Sequence, residues 1–134
     1  MSGTASAIGT KASELVAAGY LTLKSTAITT TASYVDVDFV DKFGNAFTGD
    51  IIPCAKFISA SIVVDPGTTQ TTLVKVLMVE HPDAPEVELL AETTVASDTI
   101  TRVYSGVVRG YGIVIQVKQG DGAVADAAVY ITLK

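Results

Sequence analysis

Residues 111–134, YGIVIQVKQGDGAVADAAVYITLK, decide the fold. Tyr111–Lys118 and Ala127–Leu133 are runs rich in Val, Ile and Tyr, and each is too short for a stable isolated helix. Between them stands QGDGAVAD, whose Gly and Asp residues are turn formers. Strand, turn, strand is the economical reading, and the same grammar extends towards the N-terminus.

Thr99–Tyr104 and Val87–Glu92 are further strand runs, separated by SDT and GVVRG segments. Leu73–Val79 is almost wholly apolar and fits a central strand buried on both faces. In Phe57–Val64, Ile58, Ile62 and Val64 are expected to face the core across Ser59 and Ser61, and Asp65-Pro66-Gly67 ends the run as a turn. Thr31–Val40 sets Val35, Val37 and Phe39 on one face against Tyr34, Asp36 and Asp38 on the other. Tyr20–Leu23 opens the series. Between these runs, DKFGNAFTGD reads as a loop with a hairpin tendency at Gly44-Asn45, and HPDAP interrupts any regular structure.

About eight strands at this spacing predict an all-β fold, an antiparallel β-sandwich of jelly-roll or Greek-key type, because two half-apolar sheets bury each other's faces. The division is an arm over 1–19 and a sandwich domain over 20–134. The arm is small and polar at first and then Ala-rich, with at most one or two helical turns over 12–18 that Gly19 would stop. A chain of 134 residues suffices for one core without disulfides.

Composition narrows the function. Charged residues make up 17% of the chain and hydrophobic ones 49%, against roughly 25% charged in an average globular protein. That deficit points to a large core or to surfaces covered by partners. A net charge of −5 with scattered Lys and Arg excludes the basic footprint that nucleic-acid binding requires. The opening MSGTASAIGTKASELVAAG lacks a basic end followed by an apolar run, so no Sec export is expected. No stretch is apolar over the roughly 18 residues a membrane helix needs, so no membrane association is expected.

Chemistry is sparse. Cys54 is the lone cysteine, set among Ile51, Ile52 and Ala55, where a thiol behaves as a small hydrophobe. His81, the single histidine, precedes Pro82 in a loop and has only Glu80 and Asp83 as sequence neighbours. The Gly-rich stretch Ser105–Gly112 is not followed by a helix that could offer amides to a phosphate. Asp36, Asp38 and Asp41, with Asn45 and Asp50, gather hard oxygen ligands of the kind calcium uses. They lack the spacing of a calcium loop, and the plain reading is solvent-facing carboxylates. No catalytic residue and no cofactor is expected, so the chain is read as a non-enzyme. A sugar-binding role would need aromatic platforms, for which only Tyr34, Tyr104 and Tyr111 are available in a chain without Trp.

The small Thr/Ala/Gly/Val-rich chain, its opening arm and above all residues 99–134, with a strand, a Gly/Asp turn and a final VYITL strand, resemble small virion proteins of tailed bacteriophages. The resemblance implies a head decoration or cement protein: a β domain, as a trimer, on the capsid surface, made in the host cytoplasm and reinforcing contacts between major capsid subunits. Its expected partners are the major capsid protein and copies of itself. Ile8, Leu15 and Val16 on the arm and Tyr104, Arg109 and Tyr111 on the domain are the candidate contacts, Arg and Tyr being enriched at interfaces. The alternatives are a carbohydrate- or receptor-binding module of a tail fibre or adhesin, and a tail-tube or connector subunit.

Overall fold

Period-two alternation of β-branched residues dictates strands that each offer one face to a core. In the computed structural model, which describes residues 20–41, 46 and 51–134, ten strands do so: β1 (Leu21–Ile28), β2 (Val35–Asp36), β3 (Val40–Asp41), β4 (Ile52–Pro53), β5 (Ser59–Asp65), β6 (Thr72–Val79), β7 (Val87–Val95), β8 (Thr101–Val107), β9 (Gly112–Gln119) and β10 (Ala127–Leu133). The arm over 1–19, and with it Ile8, Leu15 and Val16, lies outside the described residues. Among those described there is no helix that is long and apolar enough to cross a membrane.

Two antiparallel sheets form, one ordered β3-β1-β10-β5-β8 and the other β2-β9-β6-β7, with β4 also paired to β9. Pairing is nested: β1 with β10, β2 and β4 with β9, β5 with β8, β6 with β7. A long hairpin folded over in this way is a jelly roll, with β2 and β4 as two pieces of one strand position and β3 as an addition. The fold is therefore the expected all-β sandwich. Its core is one cluster drawn from both sheets, with Ile62, Ile113, Ile115, Val76, Val117, Val129 and Leu133 fully buried.

Three strand expectations need correction. Ile58 does not face the core; it is 76% exposed. The amides of both Ile58 and Ser59 donate to the carbonyl of Lys134, at 2.7 and 2.9 Å. Two residues opposing one is a bulge, and it takes Ile58 out of phase with Ala60, Ile62 and Val64. Thr31–Val40 is not one strand. Its first part pairs with β9 in one sheet and its last part with β1 in the other, and the crossing segment lodges Val37 and Phe39 in the core. Alternating burial survives the crossing because any extended chain with one dry side shows it. Leu73–Val79 is central, but only its inward face is dry: Leu73, Lys75 and Leu77 are half-buried on the other side. The hairpin tendency after Val40 is met by an antiparallel bridge between Val40 and Ala46.

Candidate interaction surface at one end of the sandwich

The two ends of the sandwich differ. At one, hydrogen bonds tie the turns together. Thr30 N–H donates to the Val124 carbonyl at 2.9 Å, and Val124 N–H returns to Thr30 Oγ1 at 3.0 Å. Asp121 Oδ1 accepts from the Thr71 amide and hydroxyl at 2.7 and 2.9 Å, which holds the Asp121 carboxyl below its ordinary range. Ile100 is the single large apolar side chain left exposed among the described residues there, and isolated ones are normal.

The opposite end is apolar. Of the eight large hydrophobic side chains exposed among the described residues, six lie here: Tyr20, Ile51, Ile58, Val87, Val107 and Tyr111. Pairing brings them together. Ser59 faces Val107 across β5 and β8, Met78 of β6 faces both Val87 and Ile113, and Ile52 faces Ile113. Val87 and Val107, 56% and 55% exposed, line a groove of about 340 Å³ with Met78, Glu80, Glu88, Leu89 and Arg109. Clustered exposed apolar side chains mark an interaction surface, and arginine is a residue enriched at protein interfaces. The chain enters the described domain at this end, through Tyr20.

Of the candidate contacts, Arg109 and Tyr111 stand exposed at this end, one on each side of Gly110. Tyr104 is half-buried against the core, and its hydroxyl donates to the Val107 carbonyl at 2.5 Å. Ile58, Val87 and Val107 escaped sequence reading because an apolar residue in a strand run reads as core. For Val107 a signal exists, since it is in phase with Ser105 on the solvent side.

The other candidates are dispersed. Asp36 accepts from the Gln116 amide at 2.5 Å on the second sheet, whereas Asp41 is buried on β3 in the first. Among the described residues no group of three His, Cys, Asp or Glu side chains could hold a metal ion; Asn45 and Asp50 lie outside them. Cys54 is buried, its thiol donates to the Ile52 carbonyl at 3.4 Å, and burial pushes its pKa up to about 11. A thiol so raised is a poor nucleophile. His81 is exposed in the β6–β7 loop, its Nδ1 accepting from the Asp83 amide at 3.1 Å.

Tyr34 builds a polar cluster on the outer face of the β2-β9-β6-β7 sheet. Its hydroxyl donates to Glu92 at 2.6 Å, Lys118 meets the same carboxylate at 3.6 Å, and Lys75 and Lys118 place their ammonium groups 4.5 and 4.9 Å from the ring centre. Burial, the bond to Glu92 and the nearby charges of Glu92 and Glu88 raise the Tyr34 pKa; the bond from Tyr34, with Lys118 and Lys75 adding, lowers that of Glu92. A raised folded-state value means that the Tyr34 contribution is whole below the unfolded value, near 10, and is lost as pH rises above it towards the folded value. The Glu92 contribution has the opposite sign and fades as pH falls below the ordinary carboxylate range. We expect the melting temperature of the wild type, measured from pH 9 to pH 11.5, to fall more steeply than that of Tyr34→Phe. Parallel curves would show the tyrosine to be unlinked to folding. Tyr34 stands beside β2 of one sheet and Tyr104 on β8 of the other.

No protein-family model matches the chain, and no curated protein sequence does. Among solved structures it is similar to a chain from the disulfide-linked pili of Bacillus endospore appendages, with 14% identity over 87% of this chain and 88% of that one and a TM-score of 0.47. It is also similar to murine APRIL, with 12% identity over 84% of this chain and 98% of that one and a TM-score of 0.49. At such identities the likeness is one of fold alone.

Proposed function

We propose that the chain is a structural virion protein that seats its apolar end on the capsid and reinforces contacts between major capsid subunits. The observation that carries this reading is the gathering of Tyr20, Ile51, Ile58, Val87, Val107 and Tyr111, with Arg109, at one end of a jelly roll whose other end leaves only Ile100 exposed among the large apolar side chains of the described residues. The contacts expected of Ile8, Leu15 and Val16 belong to the same proposal, and the chain enters the domain at this end through Tyr20. A small domain with an arm grips more surface than its globular part alone. Likeness of residues 99–134 to small virion proteins supplies the partner, the major capsid protein, and the place, the capsid surface.

The test is co-sedimentation with expanded empty capsids assembled from the major capsid protein of the same genome. Wild-type protein should pellet saturably. Ile58→Asp and Tyr111→Asp, at exposed positions outside β7 and β8, should keep the wild-type melting temperature within the small range usual for surface changes and bind at least about ten-fold more weakly, as anchors at the centre of an interface do. Wild type left in the supernatant, or variants that pellet like wild type, would overturn the reading.

A further inference from the structure

We infer that two copies of this chain pair through β7 and β8 about a two-fold axis, each sheet of one copy running on into a sheet of the other. β7 and β8 are the terminal strands of the two sheets, nine and seven residues long, and among the described residues neither has a neighbour on its outer side. Both lie on the same side of the sandwich. The groove that joins Val87, at the start of β7, to Val107, at the end of β8, shows them running in opposite directions. Long unpaired edges carry free amides and carbonyls and invite strand addition.

The core is unfinished along this side. Leu89, Leu90, Val103 and Tyr104 pack on it but are only half-buried. On the other side, among the described residues, the segment crossing between β2 and β3 fills the gap between the sheets with Val37 and Phe39, each 3% exposed, beside half-buried Ile28 and Val35, and the terminal strands there are two residues long. Two such unlike sides argue against a head-to-tail filament of paired edges, which would need a long open edge on each. A two-fold axis instead brings the same side to itself and closes.

Charge fixes which edge meets which. β7 carries Glu88 and follows Glu86, with Glu92 already held by Tyr34 and Lys118, whereas β8 carries Arg102. An axis parallel to the strands sets β7 against β8 of the second copy and β8 against its β7, antiparallel in both cases, with acidic strand beside basic strand. Pairing β7 with β7 would oppose glutamates, which is unfavourable in a sheet. The pair is two-fold, in place of the trimer that the resemblance implies, and it stands whether or not the apolar end binds a capsid.

Sedimentation velocity on the full chain, without capsids, reads the mass directly. We expect twice the 13.9 kDa of one chain, with dissociation favoured by salt because the edges are oppositely charged. Hydrogen exchange should show outward-facing amides of β7 and β8 protected in the dimer and released on dilution to monomer. Arg102→Glu should weaken the dimer at least ten-fold while leaving the melting temperature of the monomer unchanged. A monomer, a trimer, or a dimer whose β7 and β8 amides exchange as freely as in the monomer would each overturn the pairing. Failure of capsid co-sedimentation in a chain that still dimerises would count against the proposed function alone.

Discussion

Ile115→Ala should lower the stability of the domain by about 2–5 kcal/mol, the range for removing a large buried aliphatic side chain and leaving a cavity. Ile115 is fully buried in the middle of β9, paired with Val76 of β6 on one side, while its carbonyl accepts from the Val37 amide at 2.9 Å on the other. Strands hold it on both sides, so the site has little freedom to collapse. The expected fall is a large share of the roughly 5–15 kcal/mol by which domains are stable. It should appear in urea as a lower midpoint with an unchanged slope, since the surface exposed on unfolding is the same. Ile115→Val should cost only about 0.5–1.5 kcal/mol. If alanine cost no more than valine, the core around β9 would be loosely packed and the two-sheet core would lose its central member.

That core was legible in the sequence because its period is two. Ile62 and Val64, Ile113, Ile115 and Val117, and Val129, Ile131 and Leu133 alternate in step with their burial, and Gly and Asp clusters mark the turns between runs. What the sequence hides is set by long-range pairing. Ile58 continues the even-numbered phase of Ala60, Ile62 and Val64, and only the carbonyl of Lys134, more than seventy residues away, accepts two amides and turns it outward. The split of Thr31–Val40 is hidden for the same reason: β9 and β1 belong to different sheets, and a single extended segment reaches both.

The candidate surface was legible in part. Arg109 and Tyr111 stand out because they flank a glycine in a turn, where side chains are free to meet a partner. Val87 and Val107 do not stand out, because their exposure follows from the ends of β7 and β8 lying at an open corner, which composition cannot announce. The open side itself is a property of strand order. Nothing local to β7 or β8 says that each is last in its sheet.

Gly110→Ala should cost about 2–5 kcal/mol, from two independent causes, and should weaken the proposed contact at the apolar end as well. Gly110 has φ of 87°, a region that costs a residue with a side chain roughly 1–2 kcal/mol. A methyl group there would also stand 2.7 Å from the Cα of Glu80 and 3.2 Å from the carbonyl oxygens of Val79 and Glu80. These are backbone atoms, so the turn must move, at the roughly 1–3 kcal/mol typical of overpacking. The Tyr111 amide donates to the Val79 carbonyl at 2.9 Å, and a shift that relieves the clash stretches this bond and displaces Arg109 and Tyr111 together. Gly110→Asn separates the causes, because asparagine tolerates positive φ better than alanine but brings the same Cβ. An asparagine variant as unstable as the alanine one would assign the loss to the clash with Glu80, and a milder one to backbone strain. If neither variant changed the urea midpoint, the β8–β9 turn would not be held against the end of β6. The rigid presentation of Arg109 and Tyr111, on which the proposed capsid contact depends, would then have no structural support.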